Sequence, residues 1–182
     1  MKKLAQMAVY AAAVSLLASG LAGCKAGSQT HYVEHDAQAQ AGLLERLKPL
    51  AGTWEMVDEH GQRQTAIVSR VSSNGSVFAE TMFPGHPHEM SNMYHMDGRG
   101  LVLTHYCAQG NQPRMRCVAR TAPNVFVFAF DGGTNIARGQ MYMGEMTLTI
   151  IDNNHIRQDW RSFTDGKLAD HNASFDLVRA GS

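Results

Sequence analysis

One histidine and two cysteines in neighbouring predicted strands are the first residues whose types and spacing could do chemistry. His105 lies two residues before Cys107, and Cys117 follows in the next predicted strand. If the hairpin between these strands centres on Gln112, Cys107 lies opposite Cys117, close enough for a disulfide bond. The same three side chains are also soft ligands suited to zinc or copper. A disulfide, a metal site and a pair of unpaired core thiols all stay open on this evidence.

A second set combines thioether and imidazole groups, which could bind copper or haem. Successive side chains of a strand point to opposite faces, so the members within one predicted strand are divided between two faces and cannot all bind one ion. Only the turn containing His86 and His88 is placed as a small chelate. The alternative is that the methionines fill an irregular apolar core. The set comprises Met82, His86, His88, Met90, Met93, His95 and Met96.

Catalytic motifs are missing from the sequence. It contains no Gly-x-Ser-x-Gly, phosphate-binding loop, His-Glu-x-x-His or dinucleotide fingerprint. Asp159 and His155 could be paired as acid and base. Both, however, lie on the polar face of a strand with alternating polarity, which is typical of a solvent-exposed surface. We therefore do not expect an enzyme.

Composition limits the class of protein further. The 182 residues are 44% hydrophobic and carry 16 basic and 16 acidic side chains, so the formal net charge is zero. This length and composition suit one globular domain. The charge balance argues against a nucleic-acid partner.

The first two dozen residues have the pattern of a secretion signal. Lys2 and Lys3 precede an apolar stretch from about Met7 to Leu21, which ends in small residues. A transmembrane helix is the alternative, but the stretch is short for a bilayer span and no cluster of positive charges follows it. We therefore expect residues 1–23 to be removed as a signal peptide.

The segment Leu21-Ala22-Gly23-Cys24 resembles the bacterial lipobox, in which a peptidase cleaves before a cysteine that has received a diacylglycerol. The resemblance implies a lipoprotein, anchored to membrane lipid through Cys24 and acyl chains such as palmitate. Lys25, where an inner-membrane retention signal has Asp, favours the outer membrane, facing the periplasm. Residues 24–40 would then form a flexible tether, and residues 41–182 the folded domain.

Alternation with a period of two residues predicts ten antiparallel strands after one short amphipathic helix around Leu43 to Leu50. Short turns join the strands, which favours an up-and-down meander. A meander this long avoids exposed edges by closing into a barrel, and a two-sheet sandwich is the alternative. The predicted strands are Thr53–Glu59, Gln62–Ser72, Ser76–Phe83, Glu89–Asp97, Leu101–Ala108, Arg114–Thr121, Asn124–Phe130, Glu145–Ile151, His155–Thr164 and Lys167–Arg179.

The segment Leu50-Ala51-Gly52-Thr53-Trp54, directly after the helix, resembles the Gly-x-Trp motif of the lipocalin and calycin superfamily. The resemblance implies that Trp54 lies on the first strand and closes one end of a barrel. The segments Thr104–Ala108 and Gly110–Met115 are also similar to uncharacterised bacterial secreted proteins with lipocalin-like domains. That likeness implies no settled activity.

The predicted barrel interior mixes apolar and polar side chains, which favours a small apolar or amphipathic ligand. The alternatives are a metal- or haem-binding protein and an interaction module whose barrel is filled by its own side chains. The Gly132-to-Gly144 link is the longest and the best candidate for a mobile loop at the barrel mouth. Candidate ligand-binding residues are Trp54, Tyr94, His105, Tyr106, Met115, Met146, Gln158 and Trp160.

Overall fold

The computed structural model of the protein describes residues 33–34, 36–57 and 60–182, with the backbone alone for residues 119–121. The predicted signal peptide, Cys24 and the tether as far as residue 32 lie outside the described residues. So do residues 58 and 59, which end the first predicted strand.

The predicted helix is confirmed, and it begins earlier than the predicted domain boundary. Helix α1 spans Ala37–Leu43, and Asp36 caps its first turn by accepting a hydrogen bond from the Ala39 amide at 2.8 Å. Two 3₁₀ turns, Leu44–Arg46 and Lys48–Leu50, continue the chain to the first strand. None of the helices in the described ranges has the length and hydrophobicity that a membrane crossing requires.

The ten-stranded antiparallel barrel predicted from the alternation is confirmed. Each strand pairs with its sequence neighbour as far as β9, and β11 closes the ring between β9 and β1. The last predicted strand is interrupted, because residues 169–172 leave the ladder between β10 and β11. The strands are β1 Gly52–Val57, β2 Arg63–Ser72, β3 Val77–Met82, β4 Met90–Asp97, β5 Gly100–Tyr106, β6 Gln112–Ala122, β7 Val125–Thr134, β8 Met141–Ile150, β9 His155–Thr164, β10 Lys167–Leu168 and β11 Ala173–Arg179.

The barrel has two different ends. At the end where β1 begins and β11 finishes, here called the capped end, the buried side chains of Leu44, Leu47 and Leu50 pack into the core. Trp54 lies beneath them, where the resemblance to lipocalins implies it, and its indole N–H donates to the Leu50 carbonyl at 2.9 Å. The Arg179 guanidinium lies 4.5 Å from the centre of the Trp54 ring. The opposite end, where β3, β5 and β9 finish, is here called the mouth.

The predicted disulfide is wrong, because the β5–β6 hairpin has another centre. Leu103 pairs with Met115 and Thr104 with Arg114, so Cys117 is aligned with Leu101 rather than with Cys107. The six positions from Leu101 to Cys107 span about 20 Å of strand, far beyond the reach of a disulfide. Accordingly, the structure has no disulfide between the two cysteines.

The predicted long loop from Gly132 to Gly144 is also wrong in its extent. Strand β7 continues to Thr134 and β8 starts at Met141, so only residues 135–140 connect them. Continued pairing of Gly132 with Arg114 and Gly133 with Pro113 accounts for the longer strand, since glycine does not prevent ladder formation. The mouth therefore carries a shorter link than the sequence suggests.

Candidate functional site

A buried carboxylate lies inside the barrel and is surrounded by hydrogen-bond donors. Glu80, on β3, is 4% exposed and accepts three side-chain hydrogen bonds. Asn92 Nδ2 and the Tyr94 hydroxyl donate to its Oε2, each at 2.9 Å. From the far side of the barrel, Gln158 Nε2 donates to Oε1 at 3.1 Å, and the Trp160 indole donates to Gln158 Oε1 at 3.1 Å. We call these residues, together with His105, the Glu80 network.

Burial changes the ionisation of the network. Loss of water raises the pKa of the Glu80 carboxyl above its ordinary value, although the hydrogen bonds from Asn92, Tyr94 and Gln158 oppose that shift. Burial, and secondarily the charge of Glu80, raises the pKa of the Tyr94 hydroxyl well above its ordinary value. Tyr94 therefore acts as a hydrogen-bond donor.

His105 is connected to this network through Asn92. The three residues Glu80, Asn92 and His105 lie directly opposite one another on β3, β4 and β5. The amide nitrogen of Asn92 donates to Glu80, so its oxygen Oδ1 is the atom left to face His105 Nδ1, at 2.8 Å. An amide oxygen only accepts, which places the ring proton of His105 on Nδ1. The other nitrogen, Nε2, then carries a lone pair.

The second ring nitrogen of His105 is buried in the barrel interior. His105 is 2% exposed, and its ring centre lies 5.0 Å from that of Trp160. Burial lowers the pKa of His105 to about 4, so the ring is neutral at physiological pH. Nε2 is a buried atom with no hydrogen-bond partner among the described residues.

Two further buried polar atoms near the mouth share this property. In the part of the chain that the structure describes, Asn111 Oδ1 and Ser162 Oγ are also buried without a hydrogen-bond partner. Asn111, in the β5–β6 turn, is held by its amide nitrogen, which donates to the Met141 carbonyl at 3.0 Å. Ser162, on β9, is opposite Met143, which lies near the mouth end of β8. All three atoms therefore lie toward the mouth, and none lies at the capped end.

A surface groove opens at the same end of the barrel. Its volume is about 540 Å³, and Met56, Phe83, His86 and His88 contribute to its walls. The Phe83 ring meets the Phe175 ring edge-on at 5.5 Å. Phe175 is opposite Gln158, two residues from Trp160, so side-chain neighbours lead from this mouth groove to the Glu80 network.

The predicted ligand-binding residues divide into three groups. Trp54 is buried at the capped end, with its indole already bonded to Leu50. Tyr106 is 46% exposed on the outside of the barrel, which corrects its placement in the interior; it follows His105 and so faces the opposite way. The structure brings the remaining six together in the buried interior: Tyr94, His105, Met115, Met146, Gln158 and Trp160.

The structure does not bring the predicted metal ligands together among the residues that it describes. Within them, no group of three histidine, cysteine, aspartate or glutamate side chains could hold a metal ion. His86 and His88 are exposed in the β3–β4 link, whereas His105 is buried inside, so these three do not converge. In addition, His86 Nδ1 accepts the His88 backbone amide at 3.1 Å. The alignment of Cys117 with Leu101 likewise prevents a site shared with His105 and Cys107.

Sequence reasoning missed Glu80, Asn92, Asn111 and Ser162. A signal for the first was available, because alternation places Glu80 on the same face as Phe78 and Met82, which are both buried. An acid on an otherwise apolar strand face predicts a buried network. Asn111 carried no such signal, since asparagine is ordinary in a turn.

Comparisons with models of known protein families and with curated proteins found no match to this chain.

Proposed function

We propose that the barrel binds a small apolar or amphipathic molecule at its mouth. One observation carries this proposal: the three buried polar atoms without a partner, His105 Nε2, Asn111 Oδ1 and Ser162 Oγ, all lie toward that end. Leaving a buried polar atom unpaired costs on the order of 1–3 kcal/mol. A bound molecule that fills these positions would remove that cost.

The alternative, a barrel filled by its own side chains, fits the centre of the interior better than the mouth. The Glu80 carboxylate and the three side chains that donate to it, Asn92, Tyr94 and Gln158, are paired with one another. The unsatisfied atoms begin at Nε2 of His105, at the edge of the Glu80 network, and the other two belong to Asn111 in the β5–β6 turn and Ser162 near the mouth end of β9. This difference favours a floor formed by the paired groups around Glu80, with the unpaired atoms facing a binding site above it.

The apolar part of a ligand would find adaptable surroundings. Met82, Met115 and Met146 are fully buried in the interior, and methionine side chains repack easily around a guest molecule. The mouth groove, at about 540 Å³, is in the size range of small-molecule sites. Phe83 in its wall contacts Phe175, which lies opposite Gln158 of the Glu80 network.

We further propose that the domain works while anchored to a bacterial membrane through acylated Cys24. The lipobox resemblance supports this proposal, as does the apolar stretch before it. Replacing Cys24 with serine should abolish acylation and release the protein from the membrane fraction or leave it uncleaved. Mass spectrometry that still finds lipid-modified mature protein in the Cys24→Ser sample would contradict this.

Native mass spectrometry of the protein purified from its own cells tests ligand binding. We expect an extra mass that disappears on denaturation, without a Soret band in the absorption spectrum. Trp160→Leu should lose the bound mass, whereas Trp54→Phe, at the capped end, should retain it. A Soret band would replace the proposal with haem binding. An empty protein that also binds no apolar fluorescent probe would leave the filled-barrel interaction module.

A further inference from the structure

The chemistry of the unpaired atoms restricts the class of ligand, if the proposed binding at the mouth holds. Hydrogen bonding to Asn92 fixes the His105 proton on Nδ1, so Nε2 can only accept. Asn111 Oδ1 is an amide oxygen and also only accepts, because its nitrogen donates to Met141. Ser162 Oγ can donate or accept. The site therefore presents two acceptors and one hydroxyl.

The charge of the interior also argues against an anionic ligand. The buried polar residues that the structure describes are Ser69, Glu80, Asn92, His105, Asn111, Gln158 and Ser162. This set contains one acid and neither lysine nor arginine, so an anionic head group would find no counter-charge. It would also lie close to the carboxyl group of Glu80, since His105 is separated from Glu80 by Asn92 alone.

We infer that the ligand is a neutral amphiphile whose polar end donates hydrogen bonds, such as a long-chain alcohol or primary amide, and that His105 Nε2 accepts from it. A fatty-acid anion would place acceptor oxygens against acceptor atoms. An ester would leave His105 Nε2 and Asn111 Oδ1 unpaired. His105 is thus the residue that determines specificity.

Four probes with similar alkyl chains distinguish the effect of head-group charge from the effect of hydrogen-bond donation by the head group. They are decan-1-ol, decanamide, methyl decanoate and decanoate, all at pH 7.5. Binding is measured by titration calorimetry on the Cys24→Ser chain, which carries no acyl chains of its own. We expect the alcohol and the amide to bind at least tenfold more tightly than the ester and the carboxylate. Decanoate or the ester binding equally well would overturn this inference and leave the proposed function standing. Failure of all four to bind would overturn the proposed function itself.

Substitutions at His105 test the residue directly. His105→Leu removes the acceptor, so decan-1-ol should bind no better than methyl decanoate. His105→Gln restores an acceptor oxygen and should recover part of the preference. His155→Leu makes the same chemical change on the half-exposed surface at the capped end and should leave all four affinities unchanged. A full alcohol preference in folded His105→Leu would refute the role of His105; if that variant does not fold, the four-probe comparison still decides the ligand class.

Discussion

Replacing His105 with glutamine should remove one component of the pH dependence of stability. The pKa of His105 falls from an ordinary 6.5 to about 4 in the folded protein because burial opposes the charged ring. The unfolded chain therefore binds more protons than the folded protein between these two values. Stability conferred by neutral His105 is present above pH 6.5 and is lost as the pH falls toward 4.

The size of the effect follows from the same two values. A shift of one pKa unit corresponds to about 1.4 kcal/mol, so the whole transition amounts to roughly 3 kcal/mol. About 2 kcal/mol of that should disappear between pH 7 and pH 5. Glu80 is present in both proteins, so its own titration, which has the opposite sign because its pKa is raised, cancels in the comparison.

Urea denaturation of the wild type and His105→Gln, at half-unit steps from pH 5 to pH 8, measures this difference. The wild type should lose about 2 kcal/mol more than the variant over the range from pH 7 to pH 5. Parallel curves for wild type and His105→Gln would show that burial does not lower the pKa of His105, and this prediction would be refuted.

Three other substitutions and treatments examine the rest of the account. Glu80→Leu leaves the donors of Asn92, Tyr94 and Gln158 unpaired, so the free energy of unfolding should fall by about 3 kcal/mol or more; a loss below about 1 kcal/mol would mean that the network contributes little. Trp54→Phe removes the bond to Leu50 and weakens the contact with Arg179, and thermal unfolding should register a loss of about 1–2 kcal/mol. Alkylation of denatured protein without reductant should modify both Cys107 and Cys117; protection of the pair would restore the disulfide.

The period of the hydrophobic pattern was enough to predict the barrel. Strand β9 was predicted with the bounds that it has, because Ile156, Gln158 and Trp160 alternate with charged residues on the outer face. Short turns then required neighbouring strands to be antiparallel. The register between strands was harder to predict from the sequence. The β5–β6 hairpin turns around residue 109 rather than Gln112, and this shift of three residues separates the two cysteines.

The site could be predicted only in part. His105, Gln158 and Trp160 were identified because polar or aromatic groups on an apolar face stand out in a strand. Their partners could not be assigned, since Glu80 and Gln158 are 78 residues apart and meet only when the barrel closes. Tyr106 was misplaced although alternation gives opposite faces to neighbouring residues, so that His105 and Tyr106 cannot both point into the barrel.

The central claim is that a ligand at the mouth donates a hydrogen bond to His105 Nε2, and ¹⁵N NMR of the His105 ring tests it most directly. Before ligand is added, the ring should be the neutral form that is protonated at Nδ1. Saturation with decan-1-ol should shift the Nε2 resonance in the direction of an accepted hydrogen bond, while His155 remains unchanged. An Nε2 resonance that already reports a bound proton, or one that does not move when decan-1-ol is shown to be bound, would contradict the claim.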